Sequence, residues 1–190
     1  MRQLLFVLCT ALLTGALAFG QGSSLKIGQK VPDFQLVNQE GKSVKLSDFK
    51  GKVILITFLY TQCPYPDKCP MLAQKLNKTK DLLDQMEGSK ERFQVISITL
   101  DPKRDTPEHL KEYAQGMDQG STNWAFLTGK PNDIAKVASM FDVIYYTEKG
   151  VIEHNMRTAV LDGNLKLRRM IKGNEWKPGE IATAVRDLLK

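Results

Sequence analysis

Residue types that often build metal sites are scarce in this chain of 190 residues. It contains three cysteines and two histidines, which are Cys9, Cys63, Cys69, His109 and His154. A closed structural zinc site takes four ligands, and the chain offers too few strong candidates to fill one. Zinc is therefore disfavoured, and any site built from these side chains has a small set of donors.

The chain also lacks a motif of basic and aromatic residues that would bind nucleic acid. Its net charge is +6, but most basic residues are interspersed with acidic ones. The densest basic run, residues 166–172, alternates charged with apolar residues, which predicts a half-buried strand with a charged outer face. Internal repeats, linkers and low-complexity tracts are absent from the sequence as well. We therefore expect one globular domain and no nucleic-acid partner.

A long apolar stretch begins the sequence. Arg2 precedes it, and it extends from Leu4 to Phe19, where small residues follow. This pattern is typical of a secretory signal peptide and predicts a signal over residues 1–20 and a mature domain over residues 21–190. Cys9 lies inside the stretch and is assigned no function. The predicted location is the periplasm or another extracytoplasmic compartment, with membrane attachment only if the segment stays uncleaved.

Apolar periodicity and turn residues predict an alternating α/β order. The predicted strands are 31–37, 43–46, 53–60, 92–100, 123–128, 143–146, 151–154, 158–162 and 165–167, and the predicted helices are 71–86, 107–117, 132–140 and 177–189. The first two strands form a β-hairpin. Strand, helix, strand and helix follow, and then a terminal hairpin and a helix. This order predicts a thioredoxin-like fold with a central mixed sheet flanked by helices and an N-terminal hairpin extension.

The turn from Thr61 to Pro70 carries both cysteines of the mature chain. It follows an apolar strand and precedes a helix, so we expect it at the carboxyl edge of the sheet, where open α/β folds place their chemistry. Five residues separate Cys63 from Cys69, and two of the five are prolines, which stiffen the turn. Side chains six positions apart diverge on a helix, so the thiols converge only if Cys63 lies in the loop.

The start of the following helix is predicted from Pro70, because proline favours the first helical position. Cys69 would then cap the helix, where the positive end of the helix dipole favours a thiolate. The adjacent Lys68 would add to this effect.

Two neighbouring thiols outside the cytoplasm suit disulfide exchange, peroxide reduction or the binding of a soft metal such as Cu(I). A purely stabilising disulfide is a weaker explanation, because so short a loop contributes only about 2 kcal/mol in the loop-closure model. Peroxide reduction is disfavoured because Tyr60 stands where that chemistry needs a threonine. A metal would need a further ligand. His154 lies just before a strand, in a position that thioredoxin-like folds place beside the dithiol. His109, in contrast, is expected to be a solvated surface residue.

Several strings in the sequence together resemble the Sco/SenC family. They are Phe58–Pro64, Cys69-Pro70, Asp101–Pro107, Phe126–Gly129 and His154, and they occur in the family's order. The string Asp-Pro-Lys-Arg-Asp-Thr-Pro is the most specific of them. The similarity runs from about Lys30 to Leu189.

The resemblance implies a thioredoxin-like copper protein that helps to assemble the copper centre of cytochrome c oxidase. Cys63, Cys69 and His154 would bind Cu(I) or Cu(II), and Asp101 would lie near the metal. The partners would be the copper subunit of the oxidase, or another copper-accepting protein, and a thiol reductant. The alternative is a thiol–disulfide oxidoreductase in which Cys63 and Cys69 are a redox-active pair able to form a disulfide. The sequence departs from the family in its spacing, since the family has three residues between the cysteines.

Overall fold

The computed structural model describes residues 24–118 and 123–189. The strands are β1 Gln35–Asn38, β2 Ser43–Lys45, β3 Val53–Leu59, β4 Phe93–Thr99, β5 Trp124–Thr128, β6 Tyr145–Glu148, β7 Val151–His154, β8 Arg157–Leu161 and β9 Leu167–Lys172. The helices are α1 Cys69–Asp84, α2 Pro107–Asp118, α3 Pro131–Met140 and α4 Pro178–Leu188, and a short 3-10 helix spans Leu46–Phe49.

Seven strands form one mixed sheet in the order β2-β1-β5-β4-β3-β8-β9. β3, β4 and β5 are parallel, and antiparallel strands complete both edges. β6 and β7 pair with each other in a separate two-stranded sheet. This architecture confirms the predicted thioredoxin-like α/β fold with an N-terminal hairpin, which is β1 and β2.

The two central strands account for the placement of the cysteine turn. Every residue of β3 and β4 is buried, as expected for parallel strands covered on both faces. β3 consists almost entirely of β-branched and large apolar residues, which favour a pleated, buried backbone. Its carboxyl end leads directly into the loop that carries Cys63, so the core of the domain holds the base of this loop.

Several strand boundaries differ from the prediction: β1 begins at Gln35 rather than at residue 31, and β6 spans Tyr145–Glu148 rather than residues 143–146. The last strand was expected over residues 165–167, but β9 begins at Leu167 and continues to Lys172. Leu165 has a φ of +62°, a left-handed conformation typical of turns rather than strands. The turn is therefore longer than the sequence suggests, and the half-buried strand predicted over residues 166–172 is the one that forms.

The predicted signal peptide, residues 1–20, lies outside the described residues. Among residues 24–118 and 123–189, no helix is both long enough and apolar enough to cross a membrane.

Candidate functional site

The first turn of α1 brings Cys69 into the protein interior. Cys69 is the first residue of this helix, Pro70 the second, and Lys68 the cap. The expectation that Cys69 would be the cap is therefore wrong by one residue, because proline is accepted at either early position. Cys69 is 1% exposed and packs in the hydrophobic core. The helix start thus buries one thiol and leaves the preceding loop to present the other.

His154 lies directly against this buried thiol. Its Nε2 atom is 3.5 Å from the Sγ atom of Cys69, and its Nδ1 atom is 3.0 Å from the backbone carbonyl oxygen of Asn155. A carbonyl only accepts hydrogen bonds, so the Asn155 contact places the ring proton on Nδ1. The Nε2 lone pair then faces Cys69, which is the orientation needed to ligate a metal.

Burial changes the pKa of Cys69 and of His154 in the direction that favours the neutral form of each side chain. The pKa of the Cys69 thiol is raised, chiefly by burial and further by the nearby Cys63. The expected thiolate at the helix start is therefore wrong for the metal-free protein, because desolvation outweighs the helix dipole. Burial likewise lowers the pKa of His154, and the hydrogen bond to Asn155 opposes this shift.

Cys63 occupies a more open position in the loop. Its side chain is half-buried, and its thiol is 3.9 Å from the backbone carbonyl oxygen of Tyr65. Both Cys63 and Cys69 are free thiols. In the part of the chain that the structure describes, no three His, Cys, Asp or Glu side chains are grouped as a ready-made metal site. The structure therefore brings Cys69 and His154 into contact and places Cys63 beside them with its sulfur directed toward the loop.

Asp101 follows β4 at the same edge of the sheet. Its carboxylate forms an ion pair with Arg104 at 3.3 Å, and its backbone N–H donates to the hydroxyl of Thr99. The predicted neighbour of the metal thus lies at the expected edge, where Arg104 engages its charge.

A network of polar residues beneath the cysteine loop was not anticipated from the sequence. The carboxylate of Asp105, which is 1% exposed, accepts hydrogen bonds from the backbone N–H and hydroxyl of Thr61 and from the hydroxyl of Thr99. The Nε2 atom of His109 is 3.0 Å from the Thr61 hydroxyl oxygen. His109 is therefore a half-buried member of this network rather than a solvated surface residue. The signal for it was the specific string Asp101–Pro107, which contains Asp105.

A second unanticipated group joins the loop to the strand that carries His154. The Tyr65 hydroxyl donates to one carboxylate oxygen of Glu153 at 2.6 Å, and the Lys68 ammonium donates to the other at 2.9 Å. The Lys68 nitrogen also lies 4.1 Å from the centre of the Tyr65 ring. These contacts lower the pKa of Glu153 and keep it ionised. No sequence pattern links residues this far apart.

The Tyr60 side chain places a buried hydroxyl group near His154. Tyr60 is 1% exposed, and its ring meets the His154 ring edge-on at 6.1 Å. Within the described residues its hydroxyl makes no hydrogen bond of ordinary geometry, although the Cys63 thiol and the Ile152 backbone lie close enough to affect its pKa. Burial, Cys63 and Cys69 all raise its pKa, so it remains a protonated donor. Buried polar groups without partners are uncommon, and this one marks the surroundings of Cys63, Cys69 and His154 as a site with unused hydrogen-bonding capacity.

Comparisons with known proteins identify similar sequences and structures. The SCO1/SenC family model matches residues 24–190. A SCO2-like protein from Rickettsia typhi is 33% identical over 150 residues, which cover 75% of this chain and 68% of the relative.

Two solved structures are similar in fold as well as sequence. ScoI of Bradyrhizobium japonicum with copper bound has a TM-score of 0.70 and 28% identity, and the match covers 86% of this chain and 99% of that one. BsSco, a member of the Sco family of cytochrome c oxidase assembly proteins in which a disulfide switch was identified, has a TM-score of 0.71 and 26% identity. That match covers 88% of this chain and 99% of the other.

Proposed function

This chain belongs to the SCO1/SenC family, and from that premise we propose that it is a copper-binding metallochaperone. Copper is its cargo, and Cys63, Cys69 and His154 are the ligands. The observation that carries the proposal is the 3.5 Å approach of His154 Nε2 to Cys69 Sγ, with Nδ1 held by the Asn155 carbonyl. A histidine fixed through its other nitrogen is the usual arrangement of a metal ligand.

The chemistry of the donor set fits copper. Two cysteine sulfurs and one imidazole nitrogen are soft or borderline donors that suit Cu(I), and they accept Cu(II) when a further ligand is present. Burial of Cys69 and His154 keeps both neutral before metal arrives, so binding must release a thiol proton. The free Tyr60 hydroxyl is then a donor available to the sulfur that loses its proton.

Two similar proteins support copper as the cargo. ScoI of Bradyrhizobium japonicum has copper bound, and BsSco belongs to a family of cytochrome c oxidase assembly proteins. By analogy, this chain would deliver copper to the copper subunit of the oxidase or to another copper-accepting protein, with a thiol reductant keeping Cys63 and Cys69 reduced.

The proposed location rests on the N-terminal sequence. Residues 1–20 would direct the chain out of the cytoplasm as a signal peptide and leave residues 21–190 as the mature domain. Cell fractionation followed by intact-mass analysis of the protein tests this. A mass that corresponds to cleavage near residue 20 supports export and release. A full-length protein that is found only in the membrane fraction supports an uncleaved anchor instead.

Metal content with absorption spectra tests the copper proposal. Reduced wild-type protein should bind one copper per chain, and the Cu(II) form should show sulfur-to-copper charge-transfer absorption. His154→Ala and Cys63→Ser should lose most of this binding, whereas His109→Ala, which changes the other histidine, should retain it. Wild-type protein that binds no copper at micromolar metal would overturn the proposal.

The second candidate function is thiol–disulfide oxidoreduction, which the free and half-exposed Cys63 thiol supports. The Cys63 thiolate would attack a substrate disulfide to form a mixed disulfide. The Cys69 thiolate would then displace the substrate as a dithiol, leaving a Cys63–Cys69 disulfide for an external thiol reductant to restore. Exchange with a model disulfide peptide tests this candidate. No measurable exchange in the metal-free wild type would exclude it.

A further inference from the structure

The five-residue spacing between the cysteines places two side chains in contact with β7, the strand that ends at His154. Tyr65 and Lys68 both lie among the five residues between Cys63 and Cys69. Each binds a different oxygen of the Glu153 carboxylate, and they also contact each other. We call these three residues the latch. Glu153 precedes His154 in β7, so the latch joins the two segments that carry all three proposed copper ligands.

The latch is connected to the Cys63 sulfur through the backbone. The carbonyl of Tyr65 receives the backbone N–H of Lys68 at 3.0 Å, and the same carbonyl lies 3.9 Å from the Cys63 thiol. When Glu153 holds the Tyr65 and Lys68 side chains, it therefore also holds the group toward which the Cys63 sulfur points. If the loop moved away from Glu153, the Tyr65 carbonyl would move with it.

The opposite side of the loop is fixed by a different residue. The side-chain amide of Asn174 donates to the backbone carbonyls of Asp67 and Lys68 at 3.1 and 3.4 Å. These contacts hold the end of the loop near α1, whereas Glu153 holds its middle. Loss of the latch would therefore free the segment beside Cys63 while the helix start stays in place.

We propose that Tyr65, Lys68 and Glu153 are positioning residues that close the cysteine loop over Cys69 and His154 and so limit how fast copper enters and leaves. The proposal rests on the proposed function for its copper step, but the closure itself is a property of the metal-free protein. The Lys68 and Glu153 side chains are 31% and 24% exposed. An ion pair at such exposure holds a loop without deciding the stability of the whole fold.

Thiol alkylation of the reduced, metal-free protein measures this closure. Cys69 is buried and directly follows the loop, so a small alkylating reagent reaches it only after a local opening, and its modification rate reports the open population. Under the proposal, release of the latch makes this opening more frequent. Glu153→Gln, Lys68→Met and Tyr65→Phe should each raise the Cys69 rate about fivefold, the factor expected when one hydrogen bond of typical net strength is lost.

The three variants separate closure from simple electrostatics. Glu153→Gln removes a negative charge, Lys68→Met removes a positive one, and Tyr65→Phe changes no charge. An electrostatic effect on the thiolates would move the first two in opposite directions, whereas loss of closure accelerates all three. Lys68→Arg keeps the ion pair and should restore the wild-type rate. Glu148→Gln removes a charge from the same hairpin at an exposed position and should leave the rate unchanged.

Transfer of Cu(I) to an excess of a soluble Cu(I) chelator provides the second measurement. The latch variants should release copper faster by a similar factor, with a melting temperature close to that of wild type. Cys69 rates within twofold of wild type in all three variants, opposite changes in Glu153→Gln and Lys68→Met, or an equal effect of Glu148→Gln would overturn the proposal. Wild-type protein that binds no copper would overturn the proposed function, and the alkylation rates would still decide whether the latch closes the loop.

Discussion

Asp105 receives both the backbone N–H and the hydroxyl of Thr61, at 3.2 and 2.5 Å. Thr61 lies two residues before Cys63, so a buried carboxylate on the loop before α2 fixes the base of the cysteine loop. This contact connects the string Asp101–Pro107 to the cysteine turn through Asp105. It joins the ends of β3 and β4 at the edge of the sheet where the site forms.

We expect Asp105→Ala to lower the free energy of unfolding by about 3 kcal/mol, because it leaves the part-buried donors of Thr61 and the buried hydroxyl of Thr99 without an acceptor. Urea unfolding of the metal-free protein measures this loss. Asp133→Ala removes an exposed carboxylate and should change stability by no more than about 0.5 kcal/mol. Similar losses for the two variants would contradict the role assigned to Asp105.

Tyr60→Phe should stabilise the metal-free protein by about 1 kcal/mol, since it removes a buried hydroxyl that lacks a well-formed hydrogen bond and keeps the ring. The same substitution at Tyr146, whose side chain is 58% exposed, is the matched control and should have little effect. Thermal and urea unfolding provide the measurement. A clear loss of stability in Tyr60→Phe would mean that the hydroxyl is bound in solution.

Stability should fall as the pH drops below neutrality, and His154 should contribute to the fall. Burial lowers its pKa below the ordinary value of 6.5, so the unfolded chain binds a proton at a higher pH than the folded protein does. The stability that His154 contributes is then fully present above pH 6.5 and is lost as the pH falls toward the folded-state pKa, by up to about 1.4 kcal/mol per pH unit. Unfolding of the metal-free protein between pH 7 and 5 should show a steeper decrease in wild type than in His154→Gln. Equal slopes would contradict the burial of a neutral imidazole.

The two thiols should differ in reactivity. Cys63 is half-exposed, whereas Cys69 is buried and has a raised pKa. Because the thiolate is the reactive form, we expect alkylation of the reduced protein at pH 8 to modify Cys63 at least about tenfold faster than Cys69. Peptide mass spectrometry resolves the two sites. Faster modification of Cys69 would show that the helix start is more open than the structure indicates.

The sequence predicted the fold well wherever a continuous pattern carried the information. The apolar run that forms β3, the proline at the start of α1 and the order of elements each depend on residues close together in the chain. The start of α1 was misplaced by one residue because proline fits both of its first positions. That small shift matters chemically, since it is accompanied by a buried Cys69 with a raised pKa.

The contacts around the site could not be predicted in the same way. Tyr65 and Glu153 are 88 residues apart, and nothing in either local sequence indicates that they meet. The unsatisfied hydroxyl of Tyr60 is equally invisible, because the buried strand pattern is the same for tyrosine and phenylalanine. His154 was identified as a candidate ligand by the family resemblance and by its place before β8. Its ring orientation comes from the carbonyl of Asn155.

The separate pairing of β6 with β7 makes the histidine segment a module. This hairpin forms a sheet of its own beside the seven-stranded sheet, and His154 is its last residue. The segment from Tyr145 to His154 could therefore be exchanged as a cassette without re-pairing any strand of the main sheet. Such chimaeras would change the nitrogen ligand and its distance from the two cysteines while the rest of the domain stays constant.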